Sequence, residues 1–189
     1  MIDLQQVTAV VVTKGDEDLT PVVDSLRGQG FCAVMVWDNS EHLEDLKVFG
    51  RYMLAVDAPT EYVYVQDDDC IVDAKAIAAD YQPGELLCNV RPHHHQVYSS
   101  MYQGITLVGW GAIFPKLMVD FKAYLTKYPC DELFYRECDR IFTWLNRAKT
   151  RVVHHPIVDL PHALWKDRMG CEKRHGDDLF EIRRRLMAL

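Results

Sequence analysis

The first half of the chain alternates short apolar runs with segments of helical spacing. Three runs, "VTAVVVT", "FCAVMVWDNS" and "EYVYVQDDD", have the length and β-branched or aromatic content of buried parallel strands. Between the first two runs, apolar residues recur at helical spacing at Leu19, Val22, Val23 and Leu26. The segment "LEDLKVFGRYMLAVDA" predicts a second helix followed by a short strand or loop. This order predicts an α/β fold with a mostly parallel central sheet flanked by helices.

The second half is less regular. "LLCNVRPHH" and "GITLVGWGAIFP" predict strands around a glycine-rich turn, and "KLMVDFKAYLTKYP" and "DELFYRECDRIFTWLNRAK" predict helices. "TRVVHHPIVDLP" predicts one more strand, and "DDLFEIRRRLMAL" predicts an amphipathic helix at the C-terminus. We expect a single domain over residues 1–189, divided into a first half of about 1–90, a second of about 91–165, and a C-terminal loop and helix at 166–189.

Polar residues follow the apolar strands of the first half. Thr13 and Lys14 end the first strand, Asp38 and Asn39 end the second, and the aspartate triplet 67–69 ends the third. Open α/β sheets bind ligands at the carboxyl ends of their strands, so we expect these side chains to share one crevice. No G-x-G-x-x-G follows the first strand, which argues against a dinucleotide-binding Rossmann domain.

Three consecutive carboxylates at the end of a buried strand need an explanation. On an extended backbone Asp67 and Asp69 point to the same side. Two adjacent carboxylates repel each other unless a cation joins them, and a hard divalent ion can do so while also holding phosphate oxygens. The alternative is a solvated acidic turn or a helix cap. Apolar residues on both sides of the triplet favour the metal and diphosphate interpretation.

Charge and length narrow the functional classes. The formal net charge of −7 over 189 residues argues against broad non-specific binding to nucleic acid, although contact through a local basic patch is not excluded. No apolar stretch approaches the ~20 residues that span a bilayer, so we expect no transmembrane segment and either a cytoplasmic location or a chain that is a fragment of a larger protein. The six cysteines form no C-x-x-C pair and are expected to be buried, reduced thiols.

The stretch "YVYVQDDDCIVD" resembles the D-x-D strand of glycosyltransferases with the A-type fold (GT-A), of the family-2 kind. Four more segments agree in order: "AVVVTKGDEDLTPVVDSL", "VMVWDNS", "LVGWGAIFPK" and "ECDRIFTWL". The resemblance spans about residues 7–165. It implies a metal-dependent glycosyltransferase that moves a sugar from a nucleotide-diphosphate sugar, with a UDP-sugar favoured, to an acceptor that the sequence does not identify. The implied cofactor is Mn²⁺ or Mg²⁺, which clamps the diphosphate.

The same resemblance assigns roles to residues. Nucleotide-sugar binding falls to residues 1–90, and acceptor binding and catalysis fall to residues 91–165. The residues expected to bind the nucleotide sugar are Thr13, Lys14, Asp38, Asp67, Asp68, Gly109, Trp110 and Gly111. Those expected to bind the metal are Asp67, Asp69 and a late histidine, either His162 or His175. A tight turn with a core tryptophan is the alternative for the "GWGA" segment.

Two acids of "YRECDRIFTW" are candidates for catalysis. An inverting transfer needs a base that takes the proton of the acceptor hydroxyl, and an acid at a helix N-terminus suits that task. We expect Glu137 and Asp139 to lie at the start of a helix, with Asp139 preferred over Glu137 as the base. The helix dipole alone would also favour acids there, so a simple cap is the alternative.

The remaining histidines and cations are concentrated late in the chain. The run "PHHHQ" predicts a solvated loop, because three adjacent side chains on a strand cannot all face one ion. Residues 161–178 mix glycines, cations and histidines with little periodicity, which predicts a loop that closes over the donor and excludes water.

Two other functions stay open: a nucleotidyltransferase on a similar scaffold and a catalytically silent nucleotide-sugar-binding module. Acceptor, stereochemistry and oligomeric state are not readable from the sequence.

Overall fold

The structure is a computed structural model that describes residues 1–93, 105–163 and 168–189, and for 168–177 the backbone alone. Within these ranges eight strands form: β1 (Val7–Thr13), β2 (Ala33–Asp38), β3 (Tyr62–Asp67), β4 (Cys70–Val72), β5 (Leu86–Asn89), β6 (Ala112–Pro115), β7 (Thr150–Val153) and β8 (Ile157–Asp159). Six of them build a central sheet in the order β2-β1-β3-β6-β5-β7, while β4 and β8 pair antiparallel in a separate two-stranded sheet.

The central sheet is mostly parallel. Strand β1 pairs in parallel with β2 and β3, and β5 pairs in parallel with β7, whereas β6 runs antiparallel between β3 and β5. All seven residues of β1 are buried, as expected for a strand inside a sheet that is covered on both faces. The predicted α/β fold, with a mostly parallel central sheet flanked by helices, is confirmed.

The described helices are α1 (Thr20–Gln29), α2 (Gly50–Asp57), α3 (Ala74–Asp80), α4 (Lys122–Leu125), α5 (Glu132–Leu145) and α6 (Arg168–Met187). Helix α1 carries Pro21 in its first turn and ends at Gly30, whose φ of 92° is the left-handed conformation that glycine adopts without strain. It buries Val22 and Leu26. Helix α5 is preceded by Asp131, its N-cap, whose side chain accepts a hydrogen bond from the Phe134 N–H.

The second half departs from the prediction in three places. The predicted helix after β6 is reduced to a 3₁₀ turn at Lys116–Met118 and the single turn of α4. The strand predicted within residues 150–161 splits into β7 and β8, because Pro156 cannot donate to a strand ladder and the His155 N–H donates instead to the Asn89 side chain. From Arg168 onward the expected closing loop is helix α6, so the predicted loop over 161–178 is wrong for residues 168–178. Residues 164–167, and the histidines at 94 and 95, lie outside the described residues.

The described residues also bear on the expected absence of a transmembrane segment and on the expected burial of the cysteines. Among the described residues, no helix is both long and apolar enough to cross a membrane. Burial is observed for Cys70, Cys88 and Cys138, but Cys32 and Cys130 are exposed, so the expectation of buried thiols is wrong for those two. Both lie outside the regular elements, Cys32 just before β2 and Cys130 between α4 and α5.

Candidate functional site

A cavity of about 190 Å³ opens at the carboxyl ends of β1 and β3. Its lining residues are Val12, Thr13, Lys14, Asn39, Lys47, Val48, Arg51, Asp67, Asp68 and Asp69. Four of the residues predicted to bind the nucleotide sugar, and two of the predicted metal ligands, therefore lie around one cavity. A second cavity of about 270 Å³ lies near the amino end of β1, beside Leu4 and Gln29, away from the strand ends where α/β sheets bind ligands.

The aspartate triplet does not lie on one extended strand. Asp67 is the last residue of β3, and Asp68 and Asp69 form the two-residue turn into β4. The expectation that Asp67 and Asp69 share one side of an extended backbone is therefore wrong, although both line the cavity. Burial raises the pKa of Asp68, and the charge of Asp67 adds to this, while a hydrogen bond from the Thr13 side chain opposes it.

Asp67 is held by a buried cation, Arg51, which was not among the predicted site residues. Nη2 of Arg51, on α2, donates to Oδ1 of Asp67, and the Arg51 side chain is 0% exposed. Nη1 of Arg51 also lies 3.5 Å from Oδ2 of Asp139. Burial alone would lower the pKa of Arg51, but the charges of Asp139 and Asp67 outweigh it and the pKa is raised. An arginine buried without such partners would cost several kcal/mol.

Glycine at position 109 permits the backbone to approach Asp67 closely. The Asp67 N–H donates to the Gly109 carbonyl with an N···O distance of 2.7 Å, and a Cβ on Gly109 would overlap Oδ2 of Asp67. Gly111 has a φ of 97°, and a Cβ there would lie 2.8 Å from the Tyr64 hydroxyl oxygen. Trp110 is buried, and the guanidinium of Arg91 lies 5.1 Å from the centroid of its ring. In the described structure the tryptophan thus packs against an arginine.

The exits of β1 and β2 are tied together by side chains. Asn39 is buried, and its Nδ2 donates to the Thr13 carbonyl at 2.9 Å and to the Lys47 carbonyl at 3.1 Å. Oδ1 of Asp38 accepts from the N–H and the hydroxyl of Ser40. Asp38, which was predicted to bind the nucleotide, lies at the end of β2, and its Oδ1 is already hydrogen-bonded to Ser40. Asp38 is not among the residues that line the described cavity.

Both catalytic candidates lie in the interior of α5. The helix begins at Glu132, so the expected position of Glu137 and Asp139 at a helix start is wrong, and the dipole argument, which acts within the first turn, does not apply. The Glu137 side chain is 1% exposed and accepts from Arg140. The hydroxyl of Tyr52 donates to Oδ1 of Asp139 at 2.7 Å. Burial raises the pKa of Asp139, opposed by the charge of Arg51.

Of the two late histidines, His162 lies beside the triplet. Its Nε2 lies 3.2 Å from the Asp68 carbonyl, and its Nδ1 lies 3.6 Å from the Glu17 carboxylate. Because a carbonyl only accepts, Nε2 is the donor in this contact. The side chain of His175 lies outside the described residues. The backbone of Leu160 donates to the Asp69 carbonyl, which brings the exit of β8 to the triplet.

A divalent cation fits this donor set only in part. The carboxylates of the triplet are hard oxygen ligands, the type that Mg²⁺ and Mn²⁺ prefer. Among the described residues, however, no group of three acidic, histidine or cysteine side chains could by itself hold a metal. Mg²⁺ is commonly bound by one or two carboxylates together with substrate phosphates and water. The residues therefore fit a metal whose remaining ligands come from a bound diphosphate.

Sequence reasoning missed Arg51, which holds Asp67, Tyr52, which holds Asp139, and Lys47, which lines the cavity. It placed Asn39 at this edge but did not foresee that Asn39 ties the exit of β1 to Lys47. A usable signal existed for Arg51. The stretch "VFGRYMLAV" places an arginine within an apolar helical pattern, and a cation at a position that the pattern buries needs an acidic partner. The pattern does not name that partner.

No protein-family profile matches this sequence, and no curated protein matches it. Its structure is similar to the catalytic domain of Drosophila β1,4-galactosyltransferase 7 in complex with xylobiose, with a TM-score of 0.51, 14% identity, and coverage of 85% of this chain and 73% of that one. A mutant of that enzyme in complex with manganese, UDP-Gal and xylobiose gives a TM-score of 0.50 at 14% identity, covering 86% and 73%.

HddC from Yersinia pseudotuberculosis, complexed with GMP-PN, gives a TM-score of 0.50 at 12% identity, covering 84% of this chain and 96% of that one. Identities this low establish similarity of fold alone. The fold shared with these structures is the α/β architecture with a mostly parallel central sheet described above.

Proposed function

We propose that this chain is a metal-dependent glycosyltransferase that transfers a sugar from a nucleotide-diphosphate sugar, with a UDP-sugar favoured. The observation that carries the proposal is the set of aspartates 67–69 around one cavity at the carboxyl ends of β1 and β3. The proposal is supported by the similar fold of a galactosyltransferase that was crystallised with manganese and UDP-Gal. The acceptor is not assigned.

The size of the cavity indicates which part of the donor it would hold. At about 190 Å³ it is smaller than the ~300–1,000 Å³ typical of sites that enclose a whole drug-sized ligand. It is therefore suited to the diphosphate, with the base and the sugar extending beyond it. All its lining residues lie between Val12 and Asp69, which supports assigning nucleotide-sugar binding to about residues 1–90.

Within the cavity, the cationic side chains would bind the phosphates and the carboxylates would bind the metal ion. Lys14 would face the phosphate oxygens, and Lys47 would do so by exchanging its ion pair with Asp45 for the phosphate. Asp67 and Asp69 would hold Mn²⁺ or Mg²⁺. When bound, such an ion neutralises negative charge that develops on the leaving diphosphate. Thr13 would keep Asp68 in place through the hydrogen bond from its side chain. Occupation of the site would relieve the repulsion among three adjacent carboxylates.

A nucleotidyltransferase on the same scaffold is the second candidate. It is favoured by the similarity to HddC complexed with GMP-PN, a structure that this chain covers over 96% of its length. The products separate the two functions. A glycosyltransferase releases a nucleoside diphosphate, whereas a nucleotidyltransferase acting on a nucleoside triphosphate releases pyrophosphate.

The proposal is tested by melting the protein with UDP-sugars and GDP-sugars, each with and without Mn²⁺ or Mg²⁺. Ligand at about 100 times its Kd adds roughly 2.7 kcal/mol of stability. For a chain of this size that corresponds to a rise in Tm of about 5 °C or more. We expect this rise only with metal present, and we expect it to disappear in Asp69→Asn, whose ligand-free melting temperature serves as the control. Equal melting under every condition would overturn the proposal.

A further inference from the structure

We propose that Asp139 and Tyr52 are positioning residues that act on the donor site through Arg51, by fixing the carboxylate of Asp67. This inference rests on the proposed function, because it concerns the site that would bind the donor. It gives Asp139 a different role from the general base that its sequence context suggested. The contacts run from α5 through α2 to the end of β3, and each step is a described contact between side chains.

The first step orients Asp139. The Tyr52 hydroxyl donates to Oδ1 of Asp139 at 2.7 Å, and Oδ2 of the same carboxylate lies 3.5 Å from Nη1 of Arg51. The two oxygens therefore have different partners, and both partners come from α2. Asp139 is not among the residues that line the described cavity, whereas Arg51 and Asp67 are. An acid in this position is better placed to hold Arg51 than to meet an acceptor hydroxyl.

Few contacts hold the guanidinium of Arg51 in place. Arg51 is fully buried, and its Nε and Nη1 atoms have no hydrogen-bond partner among the described residues. Its orientation therefore depends on the bond to Asp67 and on the charge of Asp139. Buried polar groups are nearly always bonded, so a cation held this sparsely is sensitive to the loss of either anion.

The third step places Asp67 between two fixed groups. Arg51 holds its Oδ1, and the backbone of Gly109 lies against its Oδ2, close enough that a Cβ at position 109 would overlap that oxygen. The Asp67 side chain is nevertheless 35% exposed, on the side where the cavity lies. A shift of Arg51 would move this carboxylate away from the arrangement in which it meets a ligand. Removing the Asp139 carboxylate should therefore change ligand binding in the cavity, although Asp139 does not itself contact the ligand.

The test is calorimetric titration of UDP and of GDP, each with Mn²⁺, into the unmodified protein and four variants: Asp139→Asn, Tyr52→Phe, Arg51→Lys, and the double variant of positions 51 and 139. Removing a negative charge near the site would on its own tighten the binding of an anion. Weaker binding therefore has to come from misplacement. We expect Asp139→Asn to weaken the better nucleotide roughly 5- to 10-fold, within the range of coupling between residues in one network.

Tyr52→Phe keeps both charges and removes one hydrogen bond, so it should weaken binding in the same direction by about 2- to 3-fold. It also keeps the proposal testable if Asp139→Asn does not fold. In the Arg51→Lys background, Asp139→Asn should change the affinity less than about 2-fold, because its effect passes through Arg51.

The outcomes separate this inference from the function on which it rests. If the unmodified protein binds neither nucleotide, the proposed function fails and the inference fails with it. If it binds and Asp139→Asn binds equally well or more tightly, the positioning role alone is overturned. Unchanged affinity together with a large fall in turnover would return Asp139 to the role of general base. Full additivity of the two substitutions would equally exclude action through Arg51.

Discussion

Helix α5 carries two buried charge clusters that differ in how they are built. Glu137 and Arg140 lie three residues apart on the helix and pair with each other, at 1% and 6% exposed. Asp139, between them in sequence, instead faces Arg51 of α2, which also holds Asp67 at the end of β3. The first pair is available as soon as α5 forms. The second cluster exists only when α2, β3 and α5 have packed together, and only the second cluster reaches the cavity.

The difference teaches that burial of charge does not by itself mark a site. Both clusters place ions where desolvation is expensive, and in both the opposite charges offset that cost. What distinguishes the two clusters is whether their charged residues line the cavity. Glu137 and Arg140 are not among the residues lining the described cavity, whereas two of the three charged residues of the other cluster are.

The largest effect is expected for neutralising each buried arginine. Arg51→Met leaves Asp67 and Asp139 without their shared cation, and Arg140→Met removes the cation that Glu137 contacts. Breaking a buried pair in this way costs about 3–5 kcal/mol. We expect both variants to lose stability of that order in urea unfolding. Only Arg51→Met should also lose nucleotide binding, measured by calorimetry at a temperature where both variants remain folded.

The conclusion that only the Arg51 cluster supports the cavity would be contradicted if Arg140→Met lowered nucleotide affinity as much as Arg51→Met. It would also break if Arg51→Met bound nucleotide normally. Either result would mean that the cavity does not depend on the cluster that spans three elements.

A smaller effect is expected at the second contact of Asp67. In Gly109→Ala the new methyl group would overlap Oδ2 of Asp67, and overpacking of this kind costs about 1–3 kcal/mol. We expect weaker nucleotide binding and a lower melting temperature. The matched control is Gly28→Ala in α1, where a Cβ would meet nothing within 4 Å. There alanine should leave binding unchanged and stabilise the helix by about 0.5–1 kcal/mol. Normal binding by Gly109→Ala would show that the position of Asp67 is not critical.

The smallest effect concerns pH. Burial raises the pKa of Asp139 above its ordinary value of 3.8, so the folded protein retains this proton at pH values where the unfolded chain has lost it. The stability that this group contributes is therefore full below its unfolded pKa and is lost as pH rises through the folded pKa. We expect the unmodified protein to lose stability relative to Asp139→Asn as pH rises above about 4 and through the raised pKa of Asp139. The difference between the two unfolding free energies cancels the titration of Asp68. A flat difference would mean that burial does not perturb this carboxyl.

Local pattern was sufficient for much of the first half of the chain. Strand β1 matches its predicted limits, because "VTAVVVT" is β-branched throughout and is followed by a polar loop. Helix α1 was readable from its apolar spacing together with Pro21 and Gly30, which act through the backbone within a single turn. The grouping of Thr13, Lys14 and the aspartate triplet at one cavity also followed from sequence, since parallel strands bring their carboxyl ends to one edge.

The sequence by itself thus determined the α/β class, the strands β1, β2 and β3, and the edge where the polar residues collect, because these depend on periodicity and on short-range backbone preferences. The short strand β4 was not predicted. Only the tertiary structure decided which charges meet. The pairing of Arg51 with Asp67 and Asp139 joins residues 16 and 88 positions apart. No local pattern encodes a partner at that distance, since it is fixed by how α2 and α5 pack beside β3. The same reason explains why Asp139 became a buried partner of an arginine instead of an acid at a helix start.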